Sequence, residues 1–237
     1  MKYIKSLLVI GLVVFGGIFI QASGSIGQKE YEDESRERKA KVEEYLGQVD
    51  GVEKEFVEKY LNHEDEDPSV VVSENTNLDT GESYKYMQAR DSEKNIEIDG
   101  RLDGTIFFRK GNQRYWINTK EKTYYTDTYD YSKNPKEDLI ISSNEEMIYE
   151  KFLAGYEKAI EKLDDGYKVT CLDDLNKGSY DIYDKDINLI ESFTDNSQGR
   201  WKEVIVSKTT DVEETYEKFL DLKDTYIKVN DLGEIKK

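Results

Sequence analysis

From Ser69 onward the chain alternates, and this period of two limits its fold more than any other feature. SVVVSENTN (69–77), SYKYMQARD (83–91), KNIEIDG (94–100), GTIFFRKG (104–111), NQRYWINT (112–119) and KTYYTDTYDYS (122–132) are short runs rich in β-branched and aromatic residues. Gly, Asn, Asp and Lys turns separate them, the pattern of an antiparallel meander. The alternation resumes in GYKVTCL (166–172), SYDIYD (179–184), NLIESFTD (188–195) and RWKEVIVSKTT (200–210), the last two joined by the turn NSQG. With 18 Tyr, 8 Phe and only 2 Pro, the composition suits pleated, half-buried surfaces in which an aromatic body packs and its hydroxyl stays wet.

Two turns test whether the alternation is self-consistent. Turning the chain at Lys110–Asn112, and again about Lys120 and Glu121, puts Ile106, Phe108, Tyr115, Ile117 and Tyr124 on one face. Phe107, Arg114, Trp116, Tyr125 and Asp127 fall on the other. The first set reads as the apolar inner surface. The second is amphipathic, with Trp116 beside Tyr125 and Arg114 opposite Asp127. It is either a packed aromatic patch with one cross-strand ion pair or a covered, ligand-facing surface.

Before Pro68 the period is helical. Val42, Leu46, Val49, Val52, Phe56 and Tyr60 recur at spacings of three and four. Gly47 and Gly51 break the stripe, which predicts a solvated or tethering helix to about Leu46 and a shorter packed helix to Leu61. The sequence DGVE suggests a cap at Asp50 with Glu53 three residues on. A coiled coil is the alternative, but the stripe is too short for sustained heptads. A further helix is predicted from Ser143 to Leu163, with a capping box at Ser143 and Glu146, a stripe of Ile148, Phe152, Tyr156, Ile160 and Leu163, and a stop at DDG. After TTDVEETYEKFLDLKDTYIKV, read as a short loop or helix and a final extended piece, the chain ends in charge.

The first residues place Lys2 and Lys5 before an apolar run from Leu7 to Ile20, followed by small and polar residues. That is a secretory leader layout. The run falls short of the roughly twenty residues that span a bilayer. Ala22 and Gly24 stand where a signal peptidase reads, suggesting cleavage after Gly24. An uncleaved anchor reaching Ile26 is the other reading. Both put the remainder outside the cytoplasm, since lysines precede the run and KEYEDESRE follows it. Localisation is therefore extracytoplasmic, either secreted or held at the outer face of the cytoplasmic membrane. No cysteine follows the run, so lipid attachment in the bacterial lipoprotein manner is unavailable.

The chain carries 51 Asp and Glu against 34 Lys and Arg, a net charge of -17, which argues against nucleic-acid binding. Cys171 is the only cysteine, so no intramolecular disulfide and no multi-thiolate zinc site can form; its alternation with Tyr167 and Val169 predicts a buried strand position. His63 is the only histidine, and HEDED lacks the partner a zinc-protease helix needs. No phosphate loop, GxGxxG or GxSxG occurs. Paired carboxylates suited to glycosidase chemistry arise by chance among so many acids. A non-enzymatic protein with no catalytic residues, cofactor or bound metal is the expectation.

One stretch imitates a metal site. In YDKDINLIESFTD, Asp184, Asp186 and Asn188 alternate like calcium ligands, with Asp195 at the twelfth place. A calcium loop needs glycine at its sixth place and helices on both sides. Leu189 stands there, and both flanks alternate as strands. Asp184–Asn188 therefore reads as a hairpin turn.

GTIFFRKGNQRYWINTKEKTYY resembles the strand-turn-strand pieces of the outer-membrane lipoprotein carrier (LolA-like) superfamily, including LppX-type lipoproteins and small Gram-positive exported members. YDIYDKDINLIESFTDNSQGRWKEVIVSKTTDV, followed by FLDLKDTYIKV, is similar to that family's closing layout. The resemblance spans Val52 to Val229. It implies an α+β fold, a curved, incompletely closed antiparallel half barrel with two or three packing helices. It also implies a lipid or other amphiphile held between sheet and helices. No position-specific motif carries a binding residue over from the family; the candidate ligand-binding residues are those of the apolar inner face, Ile106, Phe108, Tyr115, Ile117 and Tyr124, with Phe152 and Tyr156 of the predicted helix stripe. Two features depart from the family: the lipid-attachment cysteine is missing, and the strands carry many charged residues. The resulting layout is a leader or anchor at 1–24, a charged helical tether at 25–50, the α+β domain at 51–230 and a polar tail at 231–237. A structural or regulatory envelope protein working through protein contacts is the alternative function, and a calcium-dependent surface protein a third.

Overall fold

The computed structural model describes residues 28–64, 66–130, 148, 153, 157–172, 178–197 and 199–235. The leader region lies outside them, as do Phe152 and Tyr156. The chain divides into two compact units, one of residues 1–64 and 139–202, the other of residues 65–138 and 203–237. The fold is α+β, with four helices and twelve strands among the described residues, antiparallel in every registered pair except one.

In the first unit, α1 (Gln28–Leu46) and α2 (Gly51–Leu61) precede the hairpin of β7 (Glu157–Leu163) and β8 (Gly166–Leu172). Beyond it come β9 (Tyr180–Asp184), β10 (Leu189–Asn196) and the start of β11 (Gly199–Thr209), in the order β11-β10-β9-β8-β7. The helical stripe meets the alternating face here. Val42, Tyr45, Phe56 and Val57 are buried with Tyr167, Val169, Tyr183 and Ile187, and Leu46, Val49, Val52 and Tyr60 pack around them. The Phe56 ring meets Tyr167 and Tyr183 edge-on, each at 5.3 Å between centroids. Asp50 occupies the N-cap of α2 but makes no side-chain cap bond. The capping box expected there does not form. Glu53 instead accepts a hydrogen bond from the Tyr45 hydroxyl, which ties α2 to α1.

The helix expected over Ser143–Leu163 is corrected at its second half. Ile148 has helical backbone, but Glu157–Leu163 is strand β7, paired from Glu157↔Leu172 to Leu163↔Gly166. Residues 143–147, 149–152 and 154–156 lie outside the described set. An interval of four, such as Tyr156 to Ile160, repeats a face in a helix and in a strand alike, so the stripe could not separate them. The motif DDG, read as a helix stop, is the hairpin loop. Gly166 serves strand packing, since a Cβ there would strike the Tyr183 carbonyl of β9.

In the second unit, β1 (Ser69–Asn77), β2 (Ser83–Asp91), β3 (Ile96–Arg101), β4 (Thr105–Lys110), β5 (Gln113–Asn118) and β6 (Thr123–Thr128) form the expected meander. The strand order is β12-β6-β5-β4-β3-β2-β1-β11, where β12 (Ile227–Lys228) joins β6 in parallel. Helix α3 (Val212–Asp224) and the short α4 (Leu232–Ile235) complete it. The registers expected from the two turns hold, with Ile106↔Ile117, Phe107↔Trp116, Ile117↔Tyr124 and Arg114↔Asp127.

Candidate functional site

Strand alternation gives the second unit two chemically different faces. On the inner one, Ile106, Phe108 and Ile117 have no exposed surface, and Val70, Ala89, Ile96 and Ile98 are nearly as closed. Helix α3 supplies the cover: Val212 and Tyr216 are buried in the same cluster, and Phe219, Leu220 and Leu222 pack beside them. Phe108 is the hub, stacked on Tyr115 at 4.9 Å and touching Tyr216 edge-on at 5.6 Å. Five of the seven residues expected to meet a ligand, Ile106, Phe108, Tyr115, Ile117 and Tyr124, therefore share one packed layer under a single helix. The other two, Phe152 and Tyr156, lie outside the described residues.

Polar contacts hold α3 at both ends. Glu213 in its first turn bridges Lys94 at 2.7 Å and Lys110 at 3.1 Å. Both lysines pull the Glu213 carboxyl below the usual carboxylate range. In the last turn, Lys223 lies 5.5 Å from the Tyr115 ring centre and 5.2 Å from that of Tyr124. These ion pairs are solvent-exposed and screened, so each adds little. The apolar underside does most of the holding.

The outer face is half-buried and polar-aromatic. Phe107, Trp116 and Tyr125 form a cross-strand row at 5.1 and 5.6 Å. Arg114 pairs with both oxygens of Asp127 at 2.8 and 2.7 Å. Arg109, only 2% exposed, donates to Glu97 at 2.6 Å and to the Asn95 side chain at 3.0 Å. Burial raises the Glu97 carboxyl, and the Arg109 bond offsets part of that rise. Asp99, two residues along β3, accepts from the Tyr86 hydroxyl at 2.8 Å and from Gln88 at 3.3 Å. Burial also pushes Asp99 above its ordinary range, against those two bonds. In the sequence, KNIEIDG showed only apolar residues alternating with acids, the signature of a wetted outer face. Alternation can place Glu97 and Asp99 on that face, but it carries no sign of the partners that half-bury them.

In the first unit the calcium-like stretch is a turn. The Asp184 Oδ1 atom accepts the backbone N–H groups of Asp186 at 2.8 Å and Asn188 at 2.9 Å. Ile187 crosses the turn at φ 67° while only 3% exposed, an unusual conformation for a β-branched residue, held by its burial beside Tyr183. Among the described residues no cluster of His, Cys, Asp and Glu is arranged to hold a metal. Nearby, Glu55 of α2 takes Lys162 of β7 at 2.8 Å and the Tyr167 hydroxyl of β8 at 2.7 Å, fastening helix to sheet.

No known protein family matches the chain, and no curated protein does. Among solved structures, an uncharacterised conserved protein from Thermus thermophilus is 9% identical with a TM-score of 0.36, over 65% of this chain and 82% of that one. MucB is 11% identical with a TM-score of 0.39; the match covers 66% of this chain and 58% of MucB. A putative outer membrane lipoprotein-sorting protein domain from Vibrio parahaemolyticus is 15% identical with a TM-score of 0.29, over 70% of this chain and 95% of that one. Overlap at this level assigns neither family nor activity.

Proposed function

We propose that the chain is an exported, extracytoplasmic, non-enzymatic binding protein that holds a lipid or other amphiphile between the sheet of its second unit and α3. Residues 1–24 serve as leader or membrane anchor, 25–50 as a tether, 51–230 as the binding domain and 231–237 as a polar tail. The carrying observation is that one helix, clasped by exposed ion pairs, covers an apolar face containing Ile106, Phe108 and Ile117. The leader-like N-terminus and the LolA-like runs support the same reading.

The energies are of comparable size. Uncovering Val212, Tyr216, Phe219 and Leu220 costs about 6–12 kcal/mol, at roughly 1.5–3 per side chain. An acyl chain of about fourteen carbons returns about 11 kcal/mol at roughly 0.8 per methylene. Such a ligand can therefore offset the parting of α3 from the sheet and lie between them.

Titration with cis-parinaric acid tests this. Saturable binding of one equivalent is expected, with faster association in the double variant Lys94→Gln, Lys110→Gln, which releases the clasp. Absence of saturable binding would leave the protein–protein role in the envelope as the better reading.

A further inference from the structure

The outer face of the second unit contains a groove of about 530 Å³. Its volume falls within the range of small-molecule sites, about 300–1,000 Å³. Tyr86 and Phe107 contribute aromatic surface, and four charged side chains line it: Asp99, Arg101, Asp103 and Lys120. Two of these cancel. Arg101 forks onto Asp103 at 2.7 and 3.1 Å, and its guanidinium lies 4.3 Å from the ring centre of Tyr84. Lys120 is exposed on the β5–β6 turn, where solvent screens it. Asp99 differs, because its hydrogen bonds come from the neutral donors Tyr86 and Gln88.

A half-buried carboxylate held by neutral donors gains most from an incoming cation, which restores the stabilisation that burial removed. An anion there meets repulsion, and a neutral ligand leaves the burial cost in place. Aromatic rings beside the carboxylate suit an apolar body and also attract positive charge. We propose that this groove binds a small organic ammonium compound, its nitrogen on Asp99 and its apolar body against Phe107 and Tyr86. The site lies on the face opposite the acyl-binding layer, so either function can hold without the other.

The test is calorimetry in 150 mM salt with 2-phenylethylammonium and its neutral counterpart 2-phenylethanol. The cation is expected to bind at least about tenfold tighter. Asp99→Asn should bring it down to the alcohol's affinity, while Asp186→Asn, on an exposed turn of the first unit, should leave it unchanged. Equal affinity of the two probes, no binding by either, or an unaffected Asp99→Asn protein overturns the proposal. If Asp99→Asn does not fold, amide NMR of the unaltered protein decides. Shifts concentrated at Gly100, Gly104 and Thr105 support the site, and shifts spread over the acidic surface overturn it.

Discussion

Phe107 and Phe108 are neighbours in sequence on opposite faces of β4, so alanine at each should have different consequences. Phe108 has no exposed surface and meets Tyr115, Tyr216 and Phe219 at 4.9, 5.6 and 5.9 Å. Two of those rings belong to α3. Truncation leaves a cavity under the helix and should cost about 3–5 kcal/mol. Phe107 is half-buried and touches Trp116 at 5.1 Å, so its loss should cost about 1–2 kcal/mol. With a urea slope near 2 kcal/mol per molar, the midpoints should fall by about 2 M and about 0.5–1 M respectively. The assay is Trp fluorescence in a Trp201→Phe background, where Trp116 is the sole reporter and sits in the affected unit. Equal shifts, or a Phe108→Ala shift below about 0.5 M, would refute the assignment of faces and the placement of α3.

The remaining predictions concern the polar groups. Asp184→Ala should cost about 1–2 kcal/mol, because the Asp184 carboxylate takes the N–H groups of its own turn; calcium should not move the urea midpoint of the unaltered protein. Asp99 has its folded pKa raised above 3.8, so the stability it contributes is full below 3.8 and is lost as pH rises through the folded value. The stability of the unaltered protein relative to Asp99→Asn should therefore fall with rising pH, and the opposite slope would count against burial as the cause. Glu55 is the reverse case, lowered from 4.5 to about 2, first by the Lys162 hydrogen bond and then by Tyr167. Its contribution exists above pH 4.5 and is lost as pH falls towards 2. The gap in urea midpoint between the unaltered protein and Glu55→Gln should accordingly narrow below pH 4.5; a constant gap would mean that the carboxylate charge is irrelevant.

Much of this architecture was legible because period and turn chemistry agreed. Runs such as GTIFFRKG and NQRYWINT alternate cleanly and meet at the two-residue loop Gly111–Asn112, which leaves one register for Ile106, Phe108, Tyr115 and Ile117. The same logic exposed the calcium-like stretch as a turn, since Leu189 begins a strand. Legibility failed where two periods coincide. EKAIEKL is composed of good helix formers, and only its pairing with GYKVTCL, a non-local event, makes it β7. The box at Asp50 was also not legible: Asp50 makes no side-chain cap bond, and Glu53 accepts from the Tyr45 hydroxyl of another helix, a partner that local sequence does not show. The apolar layer of the candidate site could be read from alternation. Its cover could not, because VEETYEKFLDLKD shows a helical stripe but not the face on which it lands. The groove around Asp99 was hidden for the same reason: Tyr86, Asp99 and Phe107 come from three strands and converge only through register.

The most direct test of amphiphile binding is to purify the protein from the cells that make it, extract it under denaturing conditions and quantify acyl lipids by mass spectrometry. Close to one acyl-chain equivalent per protein is expected, strongly reduced when Ile106→Asp places a charge in the layer beneath α3. Lipid-free protein from membrane-rich preparations, or lipid retained equally by Ile106→Asp, would contradict it.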